Sequence, residues 1–512
     1  MIKKSTLNFA ILPATVFFTG ASVLIIEVVA LRVLSPFFGS SMYTVSSVIS
    51  VVLAALSLGY YLGGKLSDKY PSYSVFFYLI HASGVMLLLF HLIGALLLPT
   101  LSEYLSISFG PLLASVLLFF FPGLLLGMLS PYAVKLQSAS YPSRGIGSIA
   151  GLISFWSTFG SIVGSISAGF YLIPTFGINE IIIGNSVALF LFGLGPLIVL
   201  GIRMRYYVTT ILVFTFLFLL SWQIVLQHPS SALYQEDGLY SELTIIDRMY
   251  QDRPTRFLTQ DQSSSGAMFL DATNPTDLAY DYTRYYAAYQ VFHPDVQNAL
   301  VIGGGVNSIS EALHYELPDA RIDISEIEPS LPGLAEKYFS LTPSDNIVYY
   351  KGDGRRMLQD SETQYDLIFS DVYYSLYSVP GHFTTREFFE LTTERLSKNG
   401  LFLANMIGNL SENKHSLLLS EIKTMQSVFP NVYAFLVHSD DVSRNQNIIL
   451  AGHMSETRID FSDLDDLPDL DISKMLSDTV FDLETLDLSS YIVLTDNFAP
   501  VEFLTAKILQ NK

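Results

Sequence analysis

Asn298-Ala299-Leu300-Val301-Ile302-Gly303-Gly304-Gly305-Val306-Asn307-Ser308 runs four apolar residues into three glycines and then into a predicted helix, Ile309 to Tyr315. A buried strand ending in glycines lets a ligand approach the backbone, because no Cβ stands in the way. The helix behind it offers unpaired N–H groups and a positive dipole end. About 20 residues further on, a second apolar run, Arg321-Ile322-Asp323-Ile324-Ser325, ends in Glu326-Ile327-Glu328. That spacing puts an acid at the tip of the neighbouring strand, where a ribose diol lies in a nucleotide-binding βαβ unit.

Downstream the chain alternates apolar strands with helices, the pattern of a doubly wound sheet. Strands are predicted at Ala299–Ile302, Arg321–Ile327, Ile347–Lys351, Asp366–Ser370 and Gly400–Asn405, with late ones near Val432–Val437 and Asn447–Gly452. Function in such sheets gathers at the carboxyl ends of strands. Those ends read Gly303–Gly305, then Glu326 and Glu328, then Asp353, then Asp371. Asp353 before Gly354-Arg355-Arg356 also fits a helix N-cap. As a series the positions describe a pocket for a cationic nucleoside: Glu326 to the ribose hydroxyls, Asp353 to an exocyclic adenine amine, Asp371 near the charged centre. An adenosyl sulfonium fits such an acidic wall better than a dinucleotide, since no phosphate needs a home.

Upstream the composition is different. The 512-residue chain exceeds a usual single domain, is 50% hydrophobic and only 15% charged, and has a mean hydropathy of +0.40. Soluble domains average about 25% charged residues, so much of the chain is expected in lipid. About seven apolar stretches are each long enough to span a bilayer: Phe9–Leu31, Tyr43–Gly63, Val75–Leu98, Pro111–Val134, Gly147–Ile173, Ile178–Leu200 and Tyr206–Val225. Their repetition excludes a cleaved signal peptide. Lys3, Lys4, Lys65, Lys69, Lys135, Arg144, Arg203 and Arg205 fall on one side, which places the N-terminus in the cytoplasm. An odd number of spans then carries the acidic C-terminal half outside. An enzyme on a nucleoside made in the cytoplasm is expected to face inward from the cell (inner) membrane, so either one stretch is re-entrant or the ligand crosses the membrane.

The run Leu58 to Lys69 resembles the loop between the second and third helices of major-facilitator transporters. Gly160, Gly164 and Gly169, beside Ser157, Ser161 and Ser165, give the fifth stretch a small-residue packing face. Glu27 places a carboxyl within the first stretch, with Arg32 about one turn away.

Beyond Gln227-His228-Pro229-Ser230-Ser231, short alternating runs at Ser241–Asp247, Arg256–Gln260 and Ala267–Asp271 predict a small β-subdomain, with turns at Gln251–Pro254 and Gln262–Gly266. The division expected is residues 1–227 for the membrane bundle, 228–297 for the β-subdomain and lead-in, and 298–512 for the catalytic domain. An acidic C-terminal half without a basic stripe, within a net charge of −19, argues against nucleic acid. Cysteine is absent, which excludes disulfides and thiolate sites, and the 9 histidines form no ligand cluster on one element, so no metal is expected.

The segment from about Gly238 to the C-terminus resembles the spermidine synthases (polyamine aminopropyltransferases), with the membrane-fused branch of that family nearest in organisation. The motifs are Val301-Ile302-Gly303-Gly304-Gly305, Glu326-Ile327-Glu328, Gly352-Asp353-Gly354, Tyr365 to Asp371, Pro380 to Phe389, and Leu494 to Glu502. The resemblance implies a Rossmann-like, class I methyltransferase-type α/β domain after an N-terminal α-helical transmembrane bundle. It also implies an adenosyl sulfonium ligand held by Gly303, Gly304, Gly305, Glu326, Ile327, Asp353 and Gly354, with Gln262 from the β-subdomain. Chemistry falls at Asp371, with Tyr282 and Tyr373. Two departures stand out. The family's Asp-Gly after the glycines is Val306-Asn307 here, and Asp371-Val372-Tyr373-Tyr374-Ser375-Leu376-Tyr377-Ser378-Val379-Pro380 carries no second acid.

With those acids gone, a reaction without a second substrate becomes available. The carboxylate of S-adenosylmethionine can attack its own γ-carbon, giving methylthioadenosine and homoserine lactone, and ring closure has a high effective concentration. Val306 in place of Asp also suits a ligand that keeps its carboxylate. Tyr282, Tyr285, Tyr373, Tyr374 and Tyr377 are candidates to wall a sulfonium, or else core aromatics in a chain with 30 tyrosines. The expectation is therefore a membrane-bound enzyme that cleaves the aminoalkyl–sulfur bond, by cyclisation or by aminopropyl transfer to a polyamine. A methyltransferase on a membrane substrate and a nucleoside-binding transporter or sensor are the alternatives. No cofactor is implied beyond S-adenosylmethionine or its decarboxylated form as substrate. The partners expected are that small molecule and the lipid bilayer, without nucleic acid and with room for a homo-oligomer.

Overall fold

The computed structural model describes residues 4–200, 204–226, 232–261, 263–373, 379–411, 415–438, 441–461 and 471–509. The chain divides into two units, Met1–Ser230 and Ser231–Lys512.

Among the described residues of the first unit, seven helices are long and apolar enough to cross a membrane. They are α1 (Phe9–Phe38), α2 (Met42–Lys69), α3 (Tyr73–Tyr104), α4 (Gly110–Ser140), α5 (Ile146–Thr175), α6 (Ile178–Ile198) and α7 (Arg205–Leu226). Small residues let α1 and α5 meet backbone to backbone. A Cβ on Gly160 would lie 1.9 Å from the Phe17 carbonyl oxygen, one on Gly164 2.3 Å from that of Ala21, and one on Gly20 2.3 Å from that of Ser157. Ser161 adds a hydrogen bond from its hydroxyl to the Gly20 carbonyl at 3.1 Å. Gly169 does not share this role, since a Cβ there would meet open space. The run Leu58 to Lys69 is helical to its end rather than a loop. Its Gly59 and Gly63 abut Gly127 and Met128 of α4, so helix packing explains the glycines that looked like a connecting motif. Glu27 is half-buried in α1.

The second unit opens with a four-stranded antiparallel sheet, β1 (Ala232–Asp237), β2 (Glu242–Tyr250), β3 (Arg253–Gln260) and β4 (Ser263–Phe269), in the order β1-β2-β3-β4. Two details depart from expectation. A first strand, β1, precedes those predicted, and Ser263-Ser264-Ser265-Gly266 is strand rather than turn. Serine and glycine are poor strand formers, and tertiary pairing with β3 overrides that preference here.

An eight-stranded sheet follows. It contains β5 (Asn298–Ile302), β6 (Arg321–Glu326), β7 (Ile347–Lys351), β8 (Tyr365–Ser370), β9 (Leu396–Gly408), β10 (Asn431–Leu436), β11 (Gln446–His453) and β12 (Val480–Phe481). Its order is β12-β10-β11-β9-β8-β5-β6-β7. Strands β7, β6, β5, β8 and β9 run parallel, and β11, β10 and β12 add an antiparallel edge. The central strands are buried on both faces, all six residues of β8 included, as parallel strands covered by helices must be. The helices that position the site are α8 (Ser308–Glu316), α9 (Leu331–Tyr338), α10 (Gly354–Asp360), α11 (Arg386–Arg395), α12 (Leu417–Gln426), α13 (Asp471–Thr479) and α14 (Val501–Leu509). This is a mixed α/β, Rossmann-like, methyltransferase-type domain. The small sheet packs on it through Leu243, Ile245 and Leu258 against Val306, Leu331, Leu334 and Phe339.

Candidate active site

The strand order reverses direction between β5 and β8, and open α/β sheets bind ligands in the crevice beyond the strands' carboxyl ends at such a point. The register makes the crevice level. Ile302 pairs with both Ser325 and Ser370, so Gly303, Glu326 and Asp371 are the next residues on three adjacent strands. Gly303 has φ +87°, and a Cβ there would sit 2.2 Å from the Asp371 carbonyl oxygen. Only glycine fits between the two strand ends.

Glu326 is 7% exposed. Its Oε2 accepts the Gly305 N–H at 3.0 Å and its Oε1 the Glu328 N–H at 2.9 Å. Burial raises its carboxyl and these N–H groups oppose the rise. Ile327 lies in the turn after β6. Glu328 has a different task from its neighbour, since its Oε2 accepts the Tyr240 N–H at 2.9 Å and so ties down the β1–β2 turn.

The departure at Val306-Asn307 now has a physical account. Asn307 has φ +65°, a left-handed position that favours glycine and tolerates asparagine. Val306 turns away into the small sheet, against Gly266. The backbone turn is kept and the carboxylate is given up.

Asp353 caps α10. Its Oδ1 accepts the Arg356 N–H at 2.9 Å, and its Oδ2 lies 2.8 Å from His382 Nε2. Burial pushes its carboxyl up, but the His382 and Arg356 hydrogen bonds outweigh burial and hold it below the usual range. Gly354 follows as the first residue of the helix, where a Cβ would strike Ile302 Cγ2 at 2.2 Å. Arg355 explains the C-terminal motif: Nη1 and Nη2 grip Asp496 at 2.7 and 2.6 Å, and Nη1 also donates to the His382 carbonyl at 3.0 Å. A planar fork on a carboxylate is geometrically specific, so the segment after Leu494 orients His382 and, through it, Asp353.

Asp371 sits at the end of β8 between two donors. Tyr282 Oη donates to Oδ2 at 2.8 Å and Asn405 Nδ2 to Oδ1 at 2.9 Å. Burial raises the Asp371 carboxyl while both hydrogen bonds oppose the rise. Tyr373, two residues on, accepts the Ile407 N–H at 2.7 Å. Asp371 and Tyr373 therefore hang on alternate residues, 405 and 407, of β9. Tyr282 stacks on Tyr280 at 5.9 Å. Tyr285 does not belong to this wall. It is 1% exposed in the core and donates to Thr479 Oγ1 at 2.9 Å. Gln262, Tyr374 and Tyr377 lie outside the described residues. Asn405, His382 and Arg355 are site neighbours that sequence reading passed over. Asn405 ends a predicted strand and could have been found by extending the strand-end rule from acids to amides.

Residues 288–456 match the spermine/spermidine synthase domain family. A polyamine aminopropyltransferase of Vibrio vulnificus is 28% identical over 220 residues, 42% of this chain and 71% of that protein. The Ser231–Lys512 unit is spermidine synthase-like. It is also 28% identical over 151 residues to an eEF1A lysine and N-terminal methyltransferase of Xenopus laevis, covering 28% of this chain and 21% of that protein. Among solved structures, a probable spermidine synthase from Corynebacterium glutamicum is similar, with a TM-score of 0.39 and 22% identity over 45% of this chain and 82% of that one. In this spermidine synthase-like unit Gly303, Glu326 and Asp371 meet at the ends of three level strands, and Val306 packs against Gly266 of the small sheet.

Proposed function

We propose that the chain is an enzyme that transfers the aminoalkyl group of an adenosyl sulfonium to an amine, embedded in the cell membrane through its seven apolar helices. The observation that carries this reading is Asp371, fixed by Tyr282 and Asn405 level with Gly303 and Glu326. Glu326 and the glycine turn would receive the ribose, and Asp353 the adenine edge. The amine nitrogen would attack the carbon beside sulfur as the C–S bond breaks. The bonding pair goes to sulfur, neutral methylthioadenosine leaves, and Asp371 takes the proton that the new C–N bond makes acidic. A carboxylate raised by burial is a better base than an exposed one. Both relatives named above carry amine-directed alkyl transfers in their names, which supports an amine as acceptor.

Val306 favours a second reading. With no carboxylate beside Gly305 to hold a donor's free amine, the donor suited to the site is S-adenosylmethionine itself, whose own carboxylate can displace sulfur. The full chain in detergent, given S-adenosylmethionine or its decarboxylated form with and without putrescine, separates these readings by mass spectrometry of the products. Amine-dependent methylthioadenosine is expected. Methylthioadenosine with homoserine lactone and no need for amine would replace transfer by cyclisation, and S-adenosylhomocysteine would replace both by methyl transfer.

A further inference from the structure

The short helical segment ahead of β5 aims three side chains at one carboxylate, on the side of the domain away from the crevice. The segment is a 3₁₀ helix, Asp281–Ala288, continued by one turn of α-helix, Tyr289–Phe292. Tyr289 Oη donates to Glu316 Oε2 at 3.0 Å, and Gln290 Nε2 donates to the same oxygen at 3.5 Å. Tyr286 hydrogen-bonds Glu316 as well. Both tyrosines are buried in the core that packs the segment on Ile309, Ala312 and Leu313 of α8. Burial raises both phenols and the Glu316 carboxylate raises them further, so they stay protonated and serve it as donors.

Glu316 is the last residue of α8, where the negative end of the helix dipole disfavours an acid and favours a cation beside it. Among the described residues its partners are neutral phenols and an amide, and no cation pairs with it. In front of it lies an open cavity of about 560 Å³ lined by Tyr289, Gln290, Pro294, Glu316 and Leu317. Sites for small ligands run from roughly 300 to 1,000 Å³. Pro294 precedes β5 and Glu316 precedes β6, so the cavity lies where the strands begin. The crevice lies where they end, one length of β5 or about 17 Å away.

The lining selects the ligand. A carboxylate has about four acceptor positions, and the three groups above leave room for another donor. A hard metal ion takes six or more oxygens, and no group of acids or histidines among the described residues offers it a cage. Leu317, Pro294 and the Tyr289 ring make the rest of the wall apolar and aromatic, which suits a carbon chain and attracts an ammonium to the ring face. We infer that this cavity is a binding site, apart from the crevice, for a free alkylammonium ion, with its nitrogen on Glu316 and its chain along Leu317 and Pro294. The site stands whichever reaction the crevice performs.

The test titrates the full chain in detergent with n-butylammonium, and with n-butanol as the uncharged probe of equal length, and reads binding by ligand-observed NMR. Every protein carries Asp371→Asn, so that the crevice lacks the carboxylate proposed to meet an amine. Saturable binding of the ammonium and not of the alcohol is expected in this parent. Adding Glu316→Gln should weaken it on the order of 10- to 100-fold, the weight of a hydrogen bond to a charged group. Adding Gln290→Lys instead sets a tethered ammonium beside Glu316 and should exclude the free one while keeping both phenols. Tyr282 on the same segment donates to Asp371, so methylthioadenosine affinity is measured alongside and should stay as in the parent. Loss of that affinity in both variants would assign Glu316 to supporting the segment and overturn the site. Parent-like ammonium binding in both variants, equal binding of n-butanol, or no saturable ammonium binding in the parent would each overturn it too.

Discussion

Tyr282 Oη donates to Asp371 Oδ2 at 2.8 Å, joining the short 3₁₀ helix Asp281–Ala288 ahead of β5 to the end of β8. The bond opposes the rise that burial imposes on the carboxyl. Removing it in Tyr282→Phe therefore moves Asp371 further up. A base works in its ionised form, so the acidic limb of the pH–rate profile of kcat should shift to higher pH in the variant. A limb that stays in place would show that Asp371 is not the base.

Asp371→Asn removes the proposed base and keeps the shape. Turnover should fall by roughly 10²- to 10⁴-fold, the usual weight of a positioned proton acceptor. Methylthioadenosine binding, measured by calorimetry, should stay near wild type.

Glu326→Ala leaves the Gly305 and Glu328 N–H groups without their acceptor. A stability loss of about 1–3 kcal/mol is expected for the bared donors. Nucleoside affinity should go with it, whereas Asp371→Asn should spare it. Equilibrium dialysis with methylthioadenosine checks this directly.

Asn307 is held at φ +65°. Asn307→Gly should be neutral, while Asn307→Ala should cost about 1 kcal/mol through the left-handed backbone. Paired urea titrations separate the two.

Burial raises Glu421 from an ordinary 4.5 to about 8, and the sign of its pH effect follows. Below 4.5 both folded and unfolded chains hold the proton, and its stabilising contribution is complete. Between 4.5 and 8 only the unfolded chain ionises, so stability declines with rising pH and levels above 8. Glu421→Gln is neutral throughout and should match wild type near pH 4.5 yet melt higher at pH 8.5. Equal melting temperatures at both pH values would show that the carboxyl titrates normally.

The sheet was legible because its signals are local. Ala299–Ile302 is a continuous apolar run closed by glycines, and Glu326 and Asp371 stand at the strand ends that the register makes level with Gly303. The seven apolar helices among the described residues were equally plain from length and composition. Asn405 and Glu421 were not, because their meaning lies in tertiary distance. Nothing in Leu417-Leu418-Leu419-Ser420-Glu421 tells which face of α12 is covered on all sides. Ser263-Ser264-Ser265-Gly266 misled for the same reason, since its strand exists through its neighbour β3. Glu328 looked like a second ligand acid, yet its partner is the turn at Tyr240.

The antiparallel edge of the sheet has a consequence for Asp371 that its distance conceals. Asn447 on β11 donates its amide to Asn405 Oδ1 at 2.9 Å. That fixes which end of the Asn405 side chain is oxygen, and leaves nitrogen as the only end that can meet Asp371. Strands β11 and β9 hold this arrangement through Ile449 opposite Asn405 and Asn447 opposite Ile407. A slip of one residue would present Ala404 or Met406 to the carboxylate and turn both asparagines to the opposite face. The outer strands thus act as a gauge for Asp371: from a distance they set the polarity of the amide on which its carboxylate is aligned.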